Sequence, residues 1–159
     1  MTTSSEPTVA VLDFGSQYSH LIVRRIREQG VYAELLSPGT SADDLASYKG
    51  IILSGGPQNL SASDALRVDK KIFELGIPVL GICYGLQLMA YELDGVVEAG
   101  EKREYGRANV SVVSSSLLFK GLNDTEQTWM SHGDQVTKLP DGFSITGASK
   151  TCSIAAMED

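Results

Sequence analysis

The stretch Pro78-Val-Leu-Gly-Ile-Cys-Tyr-Gly-Leu-Gln87 sets a cysteine between an apolar strand pattern and an apolar helix pattern. Pro78 to Ile82 is short and apolar, contains β-branched residues, and is bounded by the turn-forming Gly76. From Gly85 onward, Leu86, Leu88, Met89, Ala90 and Leu93 predict a buried helix. Cys83 therefore falls on a tight strand-to-helix corner with Gly81 and Gly85 on either side, the arrangement of a nucleophile elbow. The flanking glycines let the backbone turn and leave room around the sulfur. The helix beyond it points free N–H groups and a positive dipole end toward the thiol, which favours the thiolate. A small buried cysteine in a strand core is the plainer alternative.

The segments before this corner alternate between strand and helix. Thr8 to Asp13, Val31 to Leu36 and Gly50 to Leu53 read as strands; Ser16 to Gln29, Asp43 to Ser47 and Ala65 to Leu75 read as helical. This predicts an α/β fold: a three-layer, open, mostly parallel sheet with helices on both faces, with the Cys83 strand inside the sheet. After Gly100 the pattern shifts. Tyr105 to Val113, Thr128 to Met130, Ser144 to Thr146 and Ser153 to Met157 are strand candidates, predicting a small β-rich C-terminal layer. Residues 1–7 read as a disordered polar lead-in and 8–159 as one domain.

Composition narrows the function. A net charge of −7 over 159 residues argues against a nucleic-acid surface, which needs clustered Lys and Arg. There is no apolar run of transmembrane length and no signal-peptide pattern, so no membrane partner is expected. Two cysteines do not make a disulfide framework, and a reducing, cytoplasmic setting is expected.

In an open parallel sheet, ligands gather at the carboxyl ends of the strands. Asp13-Phe-Gly15, Ser54-Gly-Gly-Pro57 and Cys83-Tyr-Gly85 all fall there. Gly55 and Gly56 let the backbone approach a ligand, with N–H groups free to meet a developing oxyanion, and the Tyr84 N–H is the natural second donor. Taken alone, Gly-Gly-Pro reads first as a turn.

Gly81-Ile-Cys-Tyr-Gly-Leu-Gln87 with Ser54-Gly-Gly-Pro57 resembles the class I, triad-type glutamine amidotransferases. Leu12-Asp-Phe-Gly-Ser-Gln-Tyr18, Arg103-Glu-Tyr-Gly106 and Trp129-Met-Ser-His-Gly-Asp134 are similar to the amidotransferase domain of the GMP synthase family. The resemblance runs from Val9 to the last residue. It implies that Cys83 attacks the side-chain amide of L-glutamine, releases ammonia and leaves a glutamyl thioester for water. It implies oxyanion donors at Gly56 and Tyr84, with Gly55 beside them. Substrate-holding roles go to Gln87 and to a loop of Ser131, His132, Gly133 and Asp134. No metal or cofactor is implied for this domain. ATP and Mg2+ belong to an ATP-pyrophosphatase or synthetase partner, which would use the ammonia to aminate XMP to GMP.

The family's base lies in a His-Pro-Glu motif, and the histidines here are His20 and His132. The resemblance therefore implies a chain cut short of that motif and weakly active alone. His132 is expected to be a hydrogen-bonded loop residue, His20 a surface or packing residue, and Cys152 inert. Two other readings stand beside the glutaminase. One is an elbow-cysteine hydrolase or deglycase-like protein, which would not need Gln87 or residues 131–134. The other is a catalytically silent interaction domain of the same fold.

Overall fold

Four short strands line up in parallel: β1 (Val9–Leu12), β2 (Ala33–Leu36), β3 (Gly50–Leu53) and β4 (Val79–Gly81), in the order β2-β1-β3-β4. The computed structural model describes residues 8–159, without the side chains of residues 101–104; the lead-in of residues 1–7 lies outside the described residues. Two compact units divide after Leu88.

In the first unit β1 is central and its Ala10, Val11 and Leu12 are fully buried. Helix α1 (Ser19–Glu28) lays Ile22, Val23 and Ile26 against Val9, Val11, Ala33, Leu35 and Ile52. Residues of opposite strand parity, Ala10, Leu12, Ile51 and Leu53, are buried as well. A parallel sheet buried on both faces explains strands that read as continuous apolar runs rather than alternating ones. Gly30 ends α1 at φ +78, as its position predicts.

Several boundaries differ from the sequence reading. Helix α1 starts at Ser19 rather than Ser16, because the preceding turn is held by side chains. The Asp13 carboxylate accepts the Gly15 N–H at 2.9 Å and the Ser19 hydroxyl at 2.6 Å. Strand β2 starts at Ala33 rather than Val31, since the Val31 N–H returns to the Ile26 carbonyl. Helix α2 (Ala42–Leu45) is short and capped by Ser41.

The helix expected over 65–75 reduces to a 3-10 helix, Lys70–Glu74. Side chains take the backbone groups upstream: Gln58 accepts the Leu66 N–H, the Tyr84 hydroxyl donates to the Leu66 carbonyl, and Arg67 reaches the Leu60 carbonyl. Asp69, extended at ψ 112, caps the short helix by accepting the Lys71 N–H.

The Cys83 strand is also corrected. β4 pairs in parallel with β3 but is the outermost strand of the described sheet, not an inner one. Its residues Val79, Leu80 and Gly81 are only half-buried. An apolar run reports which faces are covered, not which hydrogen-bonding edge is paired, so the pattern could not distinguish the two.

The second unit is an antiparallel sheet of β5 (Val96–Val112), β6 (Thr125–Lys138), β7 (Ser144–Ser149) and β8 (Ala156–Glu158), in the order β6-β5-β7-β8. This is the expected β-rich layer, with β5, β6 and β7 longer than predicted and β8 shorter. Burial alternates along most of β6, and Val110, Val136, Ile154 and Met157 are buried. Glu158 ties β8 to the 113–122 connection: its carboxylate accepts the Leu117 and Leu118 N–H groups, which holds it below the usual carboxylate range.

Candidate active site

Cys83 follows β4 and immediately precedes α3 (Tyr84–Glu92), with φ at +51. Left-handed backbone is unfavourable for an L-residue by about 1–2 kcal/mol, so this conformation persists only because its surroundings impose it. Those surroundings are visible. The Ile82 N–H donates to the Leu53 carbonyl at 3.0 Å, and the Gly85 N–H is shared between Ser54 and Ile82 carbonyls at 3.1 and 2.9 Å. The Cys83 carbonyl accepts the Gln87 N–H at 3.1 Å, opening the helix.

Both flanking glycines are sterically required. A Cβ on Gly81 would stand 2.6 Å from the Gly85 carbonyl group and the Leu86 nitrogen. One on Gly85 would overlap the Leu53 carbonyl. The predicted elbow is present, and the sulfur-bearing residue is exposed at its apex.

The Gly55-Gly56 turn lies beside it. A Cβ on Gly55 would come within 3.5 Å of Cys83 Cβ, and one on Gly56 would overlap the Phe14 carbonyl oxygen. Among the described residues the Gly56 N–H donates to no acceptor. The turn is fixed by Ser54, fully buried, whose Oγ accepts the Phe14 N–H at 3.0 Å and donates to the Gly55 carbonyl at 2.8 Å. Tyr84 is anchored by its hydroxyl on the Leu66 carbonyl at 2.7 Å and by its ring against Phe14 at 5.4 Å. Gln87 is buried one turn into α3. The first unit thus gathers Gly55, Gly56, Cys83 and Tyr84 at the carboxyl ends of β3 and β4, with Gln87 on the helix that follows. Sequence reasoning missed Ser54 as the brace of this turn; a serine between an apolar strand and two glycines was the available signal.

Two effects meet at the thiol. Although the residue as a whole is exposed, partial enclosure of its thiol pushes it up from the ordinary thiol range, and no neighbouring cation opposes this. The positive end of α3 acts the other way, so burial and the helix end oppose each other at this thiol.

Ser131, His132, Gly133 and Asp134 belong to the second unit, and they form strand rather than the expected loop. All four lie within β6. The pairing there is irregular: Ala99 pairs with Asp134 and Glu104 with His132, so positions 100–103 of β5 stand opposite Gly133 in a register shift. His132 Nδ1 lies 3.2 Å from the Asp134 carbonyl, an acceptor only, so Nδ1 carries the proton in that bond. His20 is exposed on α1, in a shallow groove with Arg24, Arg27 and Glu28, and Cys152 is buried. Among the described residues no cluster of three or more His, Cys, Asp or Glu side chains is arranged to hold a metal, and no helix is long and apolar enough to cross a membrane.

An α/β unit with a strained cysteine elbow beside a glycine turn is the frame of a glutamine amidotransferase, and the profile of the family "Glutamine amidotransferase class-I" matches residues 10–159. The chain belongs to that family. Within it, the chain is 55% identical over 152 residues to the GMP synthase [glutamine-hydrolyzing] of Lactobacillus acidophilus, covering 94% of this chain and 30% of that protein. It is 53% identical over 161 residues to that of Lactiplantibacillus plantarum, covering 99% and 31%. The chain thus spans about 30% of the length of these relatives. The solved structure of one GMP synthase component from Thermoplasma acidophilum superposes with a TM-score of 0.86 at 31% identity, covering 96% of this chain and 77% of that one. A Thermotoga maritima glutamine amidotransferase shares the fold at a TM-score of 0.75 and 21% identity, covering 96% of this chain and 71% of its own.

Proposed function

We propose that this chain is the glutamine-hydrolysing part of a GMP synthase. The observation that carries the reading is Cys83 held at φ +51 between β4 and α3, beside the unengaged Gly56 N–H. The Cys83 thiolate attacks the γ-carbonyl carbon of L-glutamine, forming a C–S bond. The carbonyl electron pair moves to oxygen, where the Gly56 and Tyr84 N–H groups stabilise it. Collapse breaks the C–N bond, and the nitrogen leaves with an added proton as ammonia. Water then hydrolyses the glutamyl thioester to glutamate and restores the thiol. Gln87 and Ser131, His132, Gly133 and Asp134 keep the substrate-holding roles that the family resemblance gives them. The ammonia is used in the cytoplasm by an ATP- and Mg2+-dependent synthetase part that aminates XMP.

The proton for ammonia comes in this family from a histidine backed by a glutamate. These 159 residues contain no His-x-Glu sequence. Nucleophilic attack by Cys83 suffers least from this, since a cysteine needs its base less than a serine does, whereas expulsion of ammonia and hydrolysis of the thioester both call for the proton carrier.

Labelling with 6-diazo-5-oxo-L-norleucine, a glutamine-mimicking diazo ketone, tests the reading. The expected result is one adduct, mapped to Cys83 and prevented by excess L-glutamine. An adduct on Cys152, equal labelling of both, or no protection by glutamine would overturn it in favour of a silent binding domain or another elbow-cysteine hydrolase.

A further inference from the structure

We propose that the Ser16 hydroxyl is a third hydrogen-bond donor to the substrate's γ-carbonyl oxygen at Cys83, an inference that rests on the glutaminase reading above. Ser16 sits in the turn after β1, half-buried and fixed from both sides. Its carbonyl accepts the Ser19 N–H at 3.3 Å and its Oγ accepts the Tyr18 N–H at 3.1 Å. The Asp13 carboxylate braces the same turn through Gly15 and Ser19. A serine hydroxyl has one proton to give and two lone pairs to accept with. The Tyr18 N–H occupies a lone pair, and the proton has no acceptor among the described residues.

The Ser16 hydroxyl faces the same side of Gly55 as Cys83 does. A Cβ built on Gly55 would stand 3.5 Å from Cys83 Cβ, 3.7 Å from Ser16 Oγ and 3.8 Å from the Ile82 carbonyl oxygen. Cys83 Cβ, a hydroxyl donor and a carbonyl acceptor therefore face the same side of Gly55, which places no side chain among them. A primary carboxamide carries the complementary pair. Its oxygen takes the Ser16 proton, and its NH2 meets Ile82, whose carbonyl keeps a lone pair beyond the Gly85 N–H it already accepts. As the γ-carbonyl oxygen gains charge in the tetrahedral state, the Ser16 bond strengthens, so it lowers the barrier rather than only binding substrate.

The test uses the 4-nitrophenyl γ-ester of L-glutamate, whose leaving group departs as an anion and needs no proton donor. The Cys83 sulfur bonds to the γ-carbon, the C–O bond breaks with its electron pair going to nitrophenolate, and Ser16 keeps its proton throughout. Nitrophenolate release and the mass of the Cys83 adduct report acylation. Alkylation of Cys83 by iodoacetamide, which forms no oxyanion, runs in parallel. Ser16→Ala is expected to slow acylation about tenfold, a fraction of what a principal oxyanion donor supplies, and to leave alkylation unchanged. Ser16→Thr, which keeps the hydroxyl, is expected to restore most of the acylation rate. Unchanged acylation in Ser16→Ala, or equal slowing of both reactions, would overturn the inference while the glutaminase reading stands. Failure of the ester to acylate Cys83 in the unsubstituted chain would remove the glutaminase reading, and this inference with it.

Discussion

The Phe14 N–H donates to Ser54 Oγ at 3.0 Å, joining the turn after β1 to the turn after β3 across 40 residues of sequence. Phe14 also packs its ring on Tyr84, and its carbonyl oxygen lies where a Gly56 side chain would be. The position of the Gly55-Gly56 turn is therefore set by β1 as much as by its own strand. Replacing Ser54 with Ala leaves the N–H of Phe14, itself 1% exposed, without its acceptor. A buried donor stripped of its partner costs about 1–3 kcal/mol. Urea unfolding of Ser54→Ala should show that loss as a lower midpoint at constant slope. A loss under about 0.5 kcal/mol, typical of a surface change, would mean the turn is held by other contacts.

Cys83 itself is under backbone strain at φ +51, and that gives a comparison independent of catalysis. Both Cys83→Ala and Cys83→Gly remove the thiol, but only glycine relaxes at a positive φ. Relief of about 1–2 kcal/mol is offset in part by the greater freedom of glycine in the unfolded chain. Cys83→Gly should therefore be more stable than Cys83→Ala by about 0.5–1 kcal/mol. Equal stability, or the reverse order, would show that the elbow stores no strain at this residue.

Burial holds the Cys83 thiol above its ordinary range, which fixes a pH dependence. At neutral pH the folded chain presents less thiolate than a free cysteine does. The pH midpoint of iodoacetamide alkylation at Cys83 should lie above that of a small thiol measured alongside. Stability follows the same sign. The unfolded chain loses this proton first as pH rises, so the contribution is full below the unfolded pKa and is lost as pH climbs through the folded one. Cys83→Ala should flatten that part of the stability profile. A midpoint below the reference thiol would mean that the dipole of α3 outweighs desolvation.

The elbow was legible from the chain because its requirements are local: an apolar strand, glycines two before and two after, and a helix pattern directly behind. The parallel sheet was legible for the same reason, since each strand buried on two faces reads as an apolar run. What stayed hidden depends on pairing between distant residues. The edge position of β4 is a property of its hydrogen-bonding partners, not of Val79 or Leu80. The loop expected over Ser131 to Asp134 rests on the family resemblance alone, and nothing in those four residues shows that β5 supplies a ladder, with Glu104, 28 residues upstream, opposite His132. The 65–75 helix failed where Gln58, Tyr84 and Arg67 took its backbone groups. Ser54 and Ser16 gain their importance only once β1 and β3 are neighbours.

Turnover of glutamine should separate from covalent labelling of Cys83 in this chain. The corner provides a nucleophile and oxyanion donors, but these 159 residues supply no His-x-Glu pair to protonate ammonia and activate water. In hydrolases of this logic, losing a triad member leaves roughly 10³–10⁴-fold catalysis over water from the oxyanion hole and binding alone. Steady-state ammonia release from L-glutamine should therefore be slower by orders of magnitude than in a chain extended to include a His-x-Glu segment. Labelling of Cys83 by the diazo ketone should differ far less between the two, because that reaction releases no ammonia. Comparable ammonia release would mean that a group within these residues serves as the base. His132 would then be the first to replace, and its assignment as a substrate-holding residue would be wrong.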